Sequence, residues 1–119
     1  MVERYSAFDR LAFDRPAPQV LRVTINRPDK MNAIDAEGHS QLERVWAAID
    51  ADPETRVSII TGAGKAFCAG GDFSSMPSGE SKLDANQEAS RSFRNAANLV
   101  MGMVNASKPI ISAINGPAV

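Results

Sequence analysis

The chain has 119 residues, with 13 Lys and Arg against 14 Asp and Glu, one His and one Cys, and 44% of it is hydrophobic. That length allows one domain at most, burying roughly two-thirds of its unfolded surface. A formal charge of −1 and a pI near 5.8 exclude the basic surface that a nucleic-acid partner needs. One cysteine cannot form an intrachain disulfide, which fits a reducing, cytoplasmic compartment. Residues 1–11 lack the charged-then-apolar order of a secretion signal, and the longest apolar stretch, residues 99–104, is too short to span a bilayer.

In chain order, residues 12–14 are expected to end a first strand that begins near Tyr5. Residues 20–26 place Leu21, Val23 and Ile25 on one face and Arg22, Thr24 and Asn26 on the other, a half-buried strand with period two. The two strands are expected to form a hairpin across residues 15–18. Arg27-Pro28-Asp29-Lys30 is turn chemistry. Asp35 can cap a helix in which Leu42, Val45, Trp46 and Ile49 recur at helical spacing, and Asp52-Pro53 should end it. Residues 56–61 read as a strand that runs into a glycine-rich loop reaching Asp72. Residues 77–82, rich in Ser and Gly, are expected to be a mobile loop. A second helix is expected over 84–106, with Phe93, Ala97, Val100 and Val104 on one face, and a buried strand over 110–114. This alternation implies βαβ crossovers and a mostly parallel sheet. A parallel sheet normally has both faces covered, and no helix follows the last strand here. The chain therefore reads as the first part of a domain.

Residues 59–72 are the most informative stretch. A P-loop with its Gly-Lys at Gly64-Lys65 needs Gly at position 59 and Ser or Thr at 66, where the chain has Ile59 and Ala66. A dinucleotide fingerprint starting at Gly62 needs Gly at position 67, which is Phe67. Generic phosphate cradling by the loop stays open only as a minor reading, and two stronger ones remain on spacing alone. The glycines can simply make a compact turn, which the spacing favours. Alternatively, they let the backbone approach a ligand and present a main-chain N–H to a developing oxyanion. Cys68, between Phe67 and Ala69, reads as a small buried hydrophobe. The single His39 lies off the apolar stripe and is expected to be exposed. One His and one Cys far apart make no metal site.

Ile59-Ile60-Thr61-Gly62-Ala63-Gly64-Lys65-Ala66-Phe67-Cys68-Ala69-Gly70-Gly71-Asp72 resembles the signature of the crotonase (enoyl-CoA hydratase/isomerase) superfamily. Asn26-Arg27-Pro28 with Asn32-Ala33, and Lys108-Pro109 with Asn115-Gly116-Pro117-Ala118, resemble two further segments of that family in order and spacing. The resemblance implies an α/β fold, the crotonase-like (ClpP/crotonase) ββα-superhelix, truncated after the strand ending near Asn115. Residues 1–119 would be the N-terminal part of a single domain.

The resemblance implies an enzyme acting on acyl-CoA thioesters, with hydration of a 2-enoyl-CoA the foremost reaction, as a trimer or hexamer when full length. It implies no separate cofactor, because coenzyme A is carried by the substrate, and no metal. Gly71 would supply one of two backbone oxyanion donors. Ala69, Gly71, Asp72, Phe73 and Ser74 would line the acyl-CoA cleft, and Lys30, Met31 and Ala33 would lie along its nucleotide arm. Asp72 is read as binding nearby backbone N–H groups or capping a turn rather than as a base. The second donor and the acid–base carboxylates would fall beyond Val119. The rival reading is a non-catalytic acyl-CoA-binding or oligomerisation module.

Overall fold

The computed structural model describes residues 3–72 and 85–119. Strands β1 (Leu11–Ala17) and β2 (Val20–Ile25) form an antiparallel hairpin. Its turn falls at Pro18 and Gln19, where Gln19 takes φ +64°, later than expected. The first strand also starts later than expected. Residues Glu3–Tyr5 form a single 3₁₀ turn, and the amides of Ser6, Phe8 and Leu11 each bond to a carbonyl three residues back. Those local bonds use the donors that an extended strand from Tyr5 would have offered to a neighbour. The turns fold Tyr5 into the core, where its ring stacks on Phe13 with centroids 4.6 Å apart. Pro16 is tolerated because β1 is an edge strand, where a missing N–H breaks no ladder.

Helix α1 (Ala36–Asp50) follows, then β3 (Val57–Gly62), helix α2 (Ala85–Val104) and β4 (Ile110–Ser112). The sheet order is β1-β2-β3-β4, with β2, β3 and β4 mutually parallel. Asp35 caps α1 by accepting the Gly38 N–H at 2.8 Å. Leu42, Val45, Trp46 and Ile49 of α1 pack with Leu21, Val23 and Ile25 of β2 and with Ile60 of β3 in one core. At the other end of α1, the Lys108 ammonium donates to the carbonyls of Ile49 and Asp52. A cation there complements the helix C-terminus and anchors the start of β4.

Helix α2 and strand β4 expose much of their apolar surface. On α2 the row holding Ala97, Val100 and Val104 faces outward: Val100 is 53% and Val104 66% exposed, and Ala97 is exposed too. Leu99 and Met103 of the helix, and Ala106 just past its end, meet the core instead. Two apolar rows run along this helix, and Gly102 decides between them. A Cβ there would stand 3.3 Å from the Glu43 carbonyl and 3.6 Å from Trp46 Cδ1, so the helices cross closely on that side. The Phe93 side chain lies outside the described residues. The strand expected to be buried over 110–114 is short and mostly exposed: Ile111 in β4 is 54% and Ile114 beyond its end 63% accessible. It is the second edge of the described sheet, and only Ile110 reaches the core.

Candidate functional site

The loops leaving the carboxyl ends of the three parallel strands converge, and in open α/β sheets ligands bind outside those ends. The post-β3 loop runs between the other two. On one side, the Ala69 N–H donates to the Met31 carbonyl (3.0 Å), the Ile34 N–H to the Gly70 carbonyl (2.8 Å) and the Asp72 N–H to the Ile34 carbonyl (2.8 Å). On the other side, the Cys68 N–H donates to the Pro117 carbonyl (3.2 Å) and the Val119 N–H to the Cys68 carbonyl (2.9 Å). The result is a short parallel ladder with Ile34 opposite Gly71 and Cys68 opposite Ala118.

This geometry settles the direction of the Gly71 amide. In a parallel bridge the residues flanking Gly71 supply the bonds to Ile34, so the N–H and C=O of Gly71 itself point to the opposite side. Gly71 is exposed, and among the described residues its N–H has no hydrogen-bond partner. Just before it, Gly70 adopts φ +106°, a region that side chains disfavour and glycine enters freely. The predicted residues Met31, Ala33, Ala69, Gly71 and Asp72 are thus brought to one ladder, with exposed Lys30 in the adjoining 3₁₀ turn of Pro28–Lys30. Phe73, Ser74 and residues 77–82 lie outside the described residues. The crevice formed by Arg10, Leu11, Ile25, Arg27, Ala33, Ile34, Asp35, Gly38 and Leu42 includes Ala33 but not Gly71.

Two asparagines brace the glycine loop. Asn32 is fully buried; its Oδ1 accepts the Arg27 N–H (2.8 Å), and its Nδ2 donates to the carbonyls of Ala63 (2.8 Å) and Ala66 (2.7 Å). It holds φ +58°, and Met31 before it holds φ +53°. Asn115 reaches the same loop from beyond β4: Oδ1 accepts the Gly62 N–H (3.0 Å) and Nδ2 donates to the carbonyls of Gly64 (3.0 Å) and Ala66 (3.2 Å). Gly116 beside it must lack a side chain, since a Cβ would lie 2.0 Å from the Lys65 carbonyl. Neither brace was legible from residue type. A side-chain amide that both donates and accepts can close a loop, but which loop depends on the tertiary fold.

Two carboxylates near the loop, Asp72 and Asp35, are paired. The Arg27 guanidinium lies 3.0 Å from the Asp72 carboxylate and donates to the Ala33 carbonyl at 2.9 Å. Asp72 is therefore in an ion pair, a partner that sequence reasoning missed. Asp35 is pushed up by burial, but the Gly38 amide and the Arg10 guanidinium outweigh this and hold it below its usual range. Cys68 is half-buried rather than fully buried, with its Sγ 3.4 Å from the Gly70 N–H. His39 is half-buried rather than exposed. Among the described residues, no three His, Cys, Asp or Glu stand together to hold a metal ion, and no helix is long and apolar enough to cross a membrane.

The family model described as enoyl-CoA hydratase/isomerase matches residues 16–119. The chain belongs to that family. Among hydratase relatives, it is 39% identical over 104 residues to mevalonyl-coenzyme A hydratase of Beauveria bassiana, a match covering 85% of this chain and 37% of that protein. It is 38% identical over 101 residues to (E)-benzylidenesuccinyl-CoA hydratase of Thauera aromatica, covering 84% and 37%. The crystal structure of an enoyl-CoA hydratase/isomerase from Mycobacterium paratuberculosis superposes with a TM-score of 0.74 at 37% identity, over 92% of this chain and 42% of that one. The enoyl-CoA hydratase of Bacillus anthracis gives a TM-score of 0.75 at 27% identity, over 90% and 40%. The chain thus spans 37% of the length of each of the two curated relatives. The expected crotonase-type α/β fold is the one found.

Proposed function

We propose that the whole protein hydrates a 2-enoyl-CoA by syn addition of water, through an enolate whose oxygen this chain helps to hold. The observation that carries the reading is the Gly71 amide: exposed, unpartnered among the described residues, and oriented by ladder bonds on both of its neighbours. A backbone donor fixed before the reaction needs no reorganisation as charge develops on the thioester oxygen, and one such donor contributes about 3 kcal/mol to the transition state. The relatives named as CoA hydratases support the choice of reaction. Ala69, Asp72, Phe73 and Ser74 belong to the acyl-CoA cleft in this reading, with Lys30, Met31 and Ala33 along the nucleotide arm. The Asp72 carboxylate, paired with Arg27, serves geometry rather than proton transfer.

The second oxyanion donor and the carboxylates that move protons are assigned to chain following Val119. A trimeric or hexameric assembly, a cytoplasmic location and independence from any cofactor beyond the substrate's own coenzyme A belong to the same proposal. The test is to add a short-chain 2-enoyl-CoA to the full-length protein and follow the conjugated thioester absorbance. Its steady loss supports hydration. No turnover at any chain length removes the assignment while leaving the fold untouched.

A further inference from the structure

The Arg27–Asp72 pair spans the two chain segments that meet at the Ile34–Gly71 bridge, which aims the Gly71 amide. One Arg27 nitrogen, Nη1, lies 3.0 Å from Asp72 Oδ2 and 2.9 Å from the Ala33 carbonyl. Asp72 directly follows Gly71, and Ala33 directly precedes Ile34, the residue facing Gly71. The guanidinium therefore joins both segments next to their bridge. Arg27 is itself held, because its backbone N–H donates to Asn32 Oδ1 and its carbonyl accepts the Lys30 and Asn32 amides. Arg27 is 25% and Asp72 11% exposed at the side chain, so solvent screens the pair less than a fully exposed one. By contrast, the Arg22–Asp14 pair on the hairpin is 43% and 49% exposed and touches neither segment.

We propose that Arg27 is a positioning residue for turnover: through Asp72 and the Ala33 carbonyl it fixes the direction of the Gly71 N–H. The inference rests on Gly71 being an oxyanion donor. A donor that is misaimed is missed mainly in the transition state, where the oxyanion charge is greatest, so its loss falls on kcat more than on KM.

In the full-length protein, with a short-chain 2-enoyl-CoA as probe, Arg27→Met is expected to lower kcat by about 10- to 100-fold with KM within about threefold. Arg27→Lys should restore part of the loss. Asp72→Asn should also lower kcat, and the double variant should lose less than the two single losses combined, because they share the Arg27–Asp72 contact. Arg22→Met is the control and should leave kcat unchanged. A wild-type kcat in Arg27→Met, a rise in KM with kcat unaltered, or an equal fall in Arg22→Met overturns the proposal.

Amide hydrogen exchange gives a readout independent of the reaction. Arg27→Met should speed exchange at the Ile34 and Asp72 amides, which carry the ladder, and leave those of β2 and β3 unchanged. If the wild type fails to turn over any enoyl-CoA, the hydratase reading falls, and exchange alone decides the positioning role. Unchanged rates at Ile34 and Asp72 overturn it. General acceleration across β2 and β3 also overturns it, because the effect is then on stability at large.

Discussion

Gly71 and Asn32 show how much of this site is backbone. The glycine contributes an N–H and no side chain, so only a residue lacking that hydrogen can delete it. On the reading proposed above, Gly71→Pro removes the oxyanion donor and is expected to reduce thioester turnover in the full-length protein by at least about 100-fold. Initial rates with a short-chain enoyl-CoA check this, and retained turnover places the donor elsewhere. Asn32 has the opposite character: buried, with both polar atoms engaged in the post-β2 and post-β3 loops. Asn32→Ala strands the Arg27 amide and the Ala63 carbonyl without their side-chain partner, while Asn115 still reaches the Ala66 carbonyl. A loss of about 2–3 kcal/mol is expected, read as a lower urea midpoint.

Among the elements, α1 is the most locally encoded. Its cap, its apolar row and its stop before Pro53 all come from near neighbours, and the helix follows them from Ala36 to Asp50. Asp35 also binds the Arg10 guanidinium at 3.1 Å, so this cap joins the helix to the segment entering β1. Asp35→Ala should destabilise the protein by about 1 kcal/mol, measured as a lower midpoint of thermal unfolding, and Asp35→Ser should recover most of it. Helix α2 teaches the contrary lesson. Its periodicity announced a helix correctly but not its inward face, because Val100 and Val104 form as good an apolar row as Leu99 and Met103. The close approach at Gly102 selects the second row.

At the scale of the molecule, Asp52 ties distant parts together at the end of the sheet away from the glycine loop. This buried carboxylate accepts from the Tyr5 hydroxyl (2.6 Å), the Thr55 hydroxyl (2.9 Å), the Arg15 guanidinium (3.0 Å) and the Glu54 amide (3.0 Å). Burial pushes its pKa up, but the hydrogen bonds led by Tyr5 outweigh this and hold it well below the usual carboxylate range. Tyr5 is moved the other way, first by burial and then by its bond to Asp52, to well above its usual value. The signs follow from linkage. The lowered Asp52 contributes stability that is present above about pH 5 and is lost as pH falls below about 4. The raised Tyr5 contributes stability that is present below about pH 9 and is lost as pH climbs past about 10. Urea midpoints across pH should therefore fall at both ends. Tyr5→Phe should remove the alkaline decline and weaken the acid one; an unchanged alkaline limb contradicts the assignment.

The sequence by itself determined the features written in short stretches: the alternation of strands and helices, the Asp35 cap, the glycine loop after β3 and the three family-like segments. Steric and hydrogen-bond preferences over a few residues suffice for these. Only the tertiary structure decided that the post-β2, post-β3 and post-β4 loops share one ladder, that Asn32 and Asn115 close on the same carbonyl, and that Asp72 pairs with Arg27. Those contacts join residues far apart in the chain, and they exist because the parallel strands bring their carboxyl ends side by side. The direction of the Gly71 amide belongs to the second group, since the bonds of its two neighbours to Ile34 turn it outward.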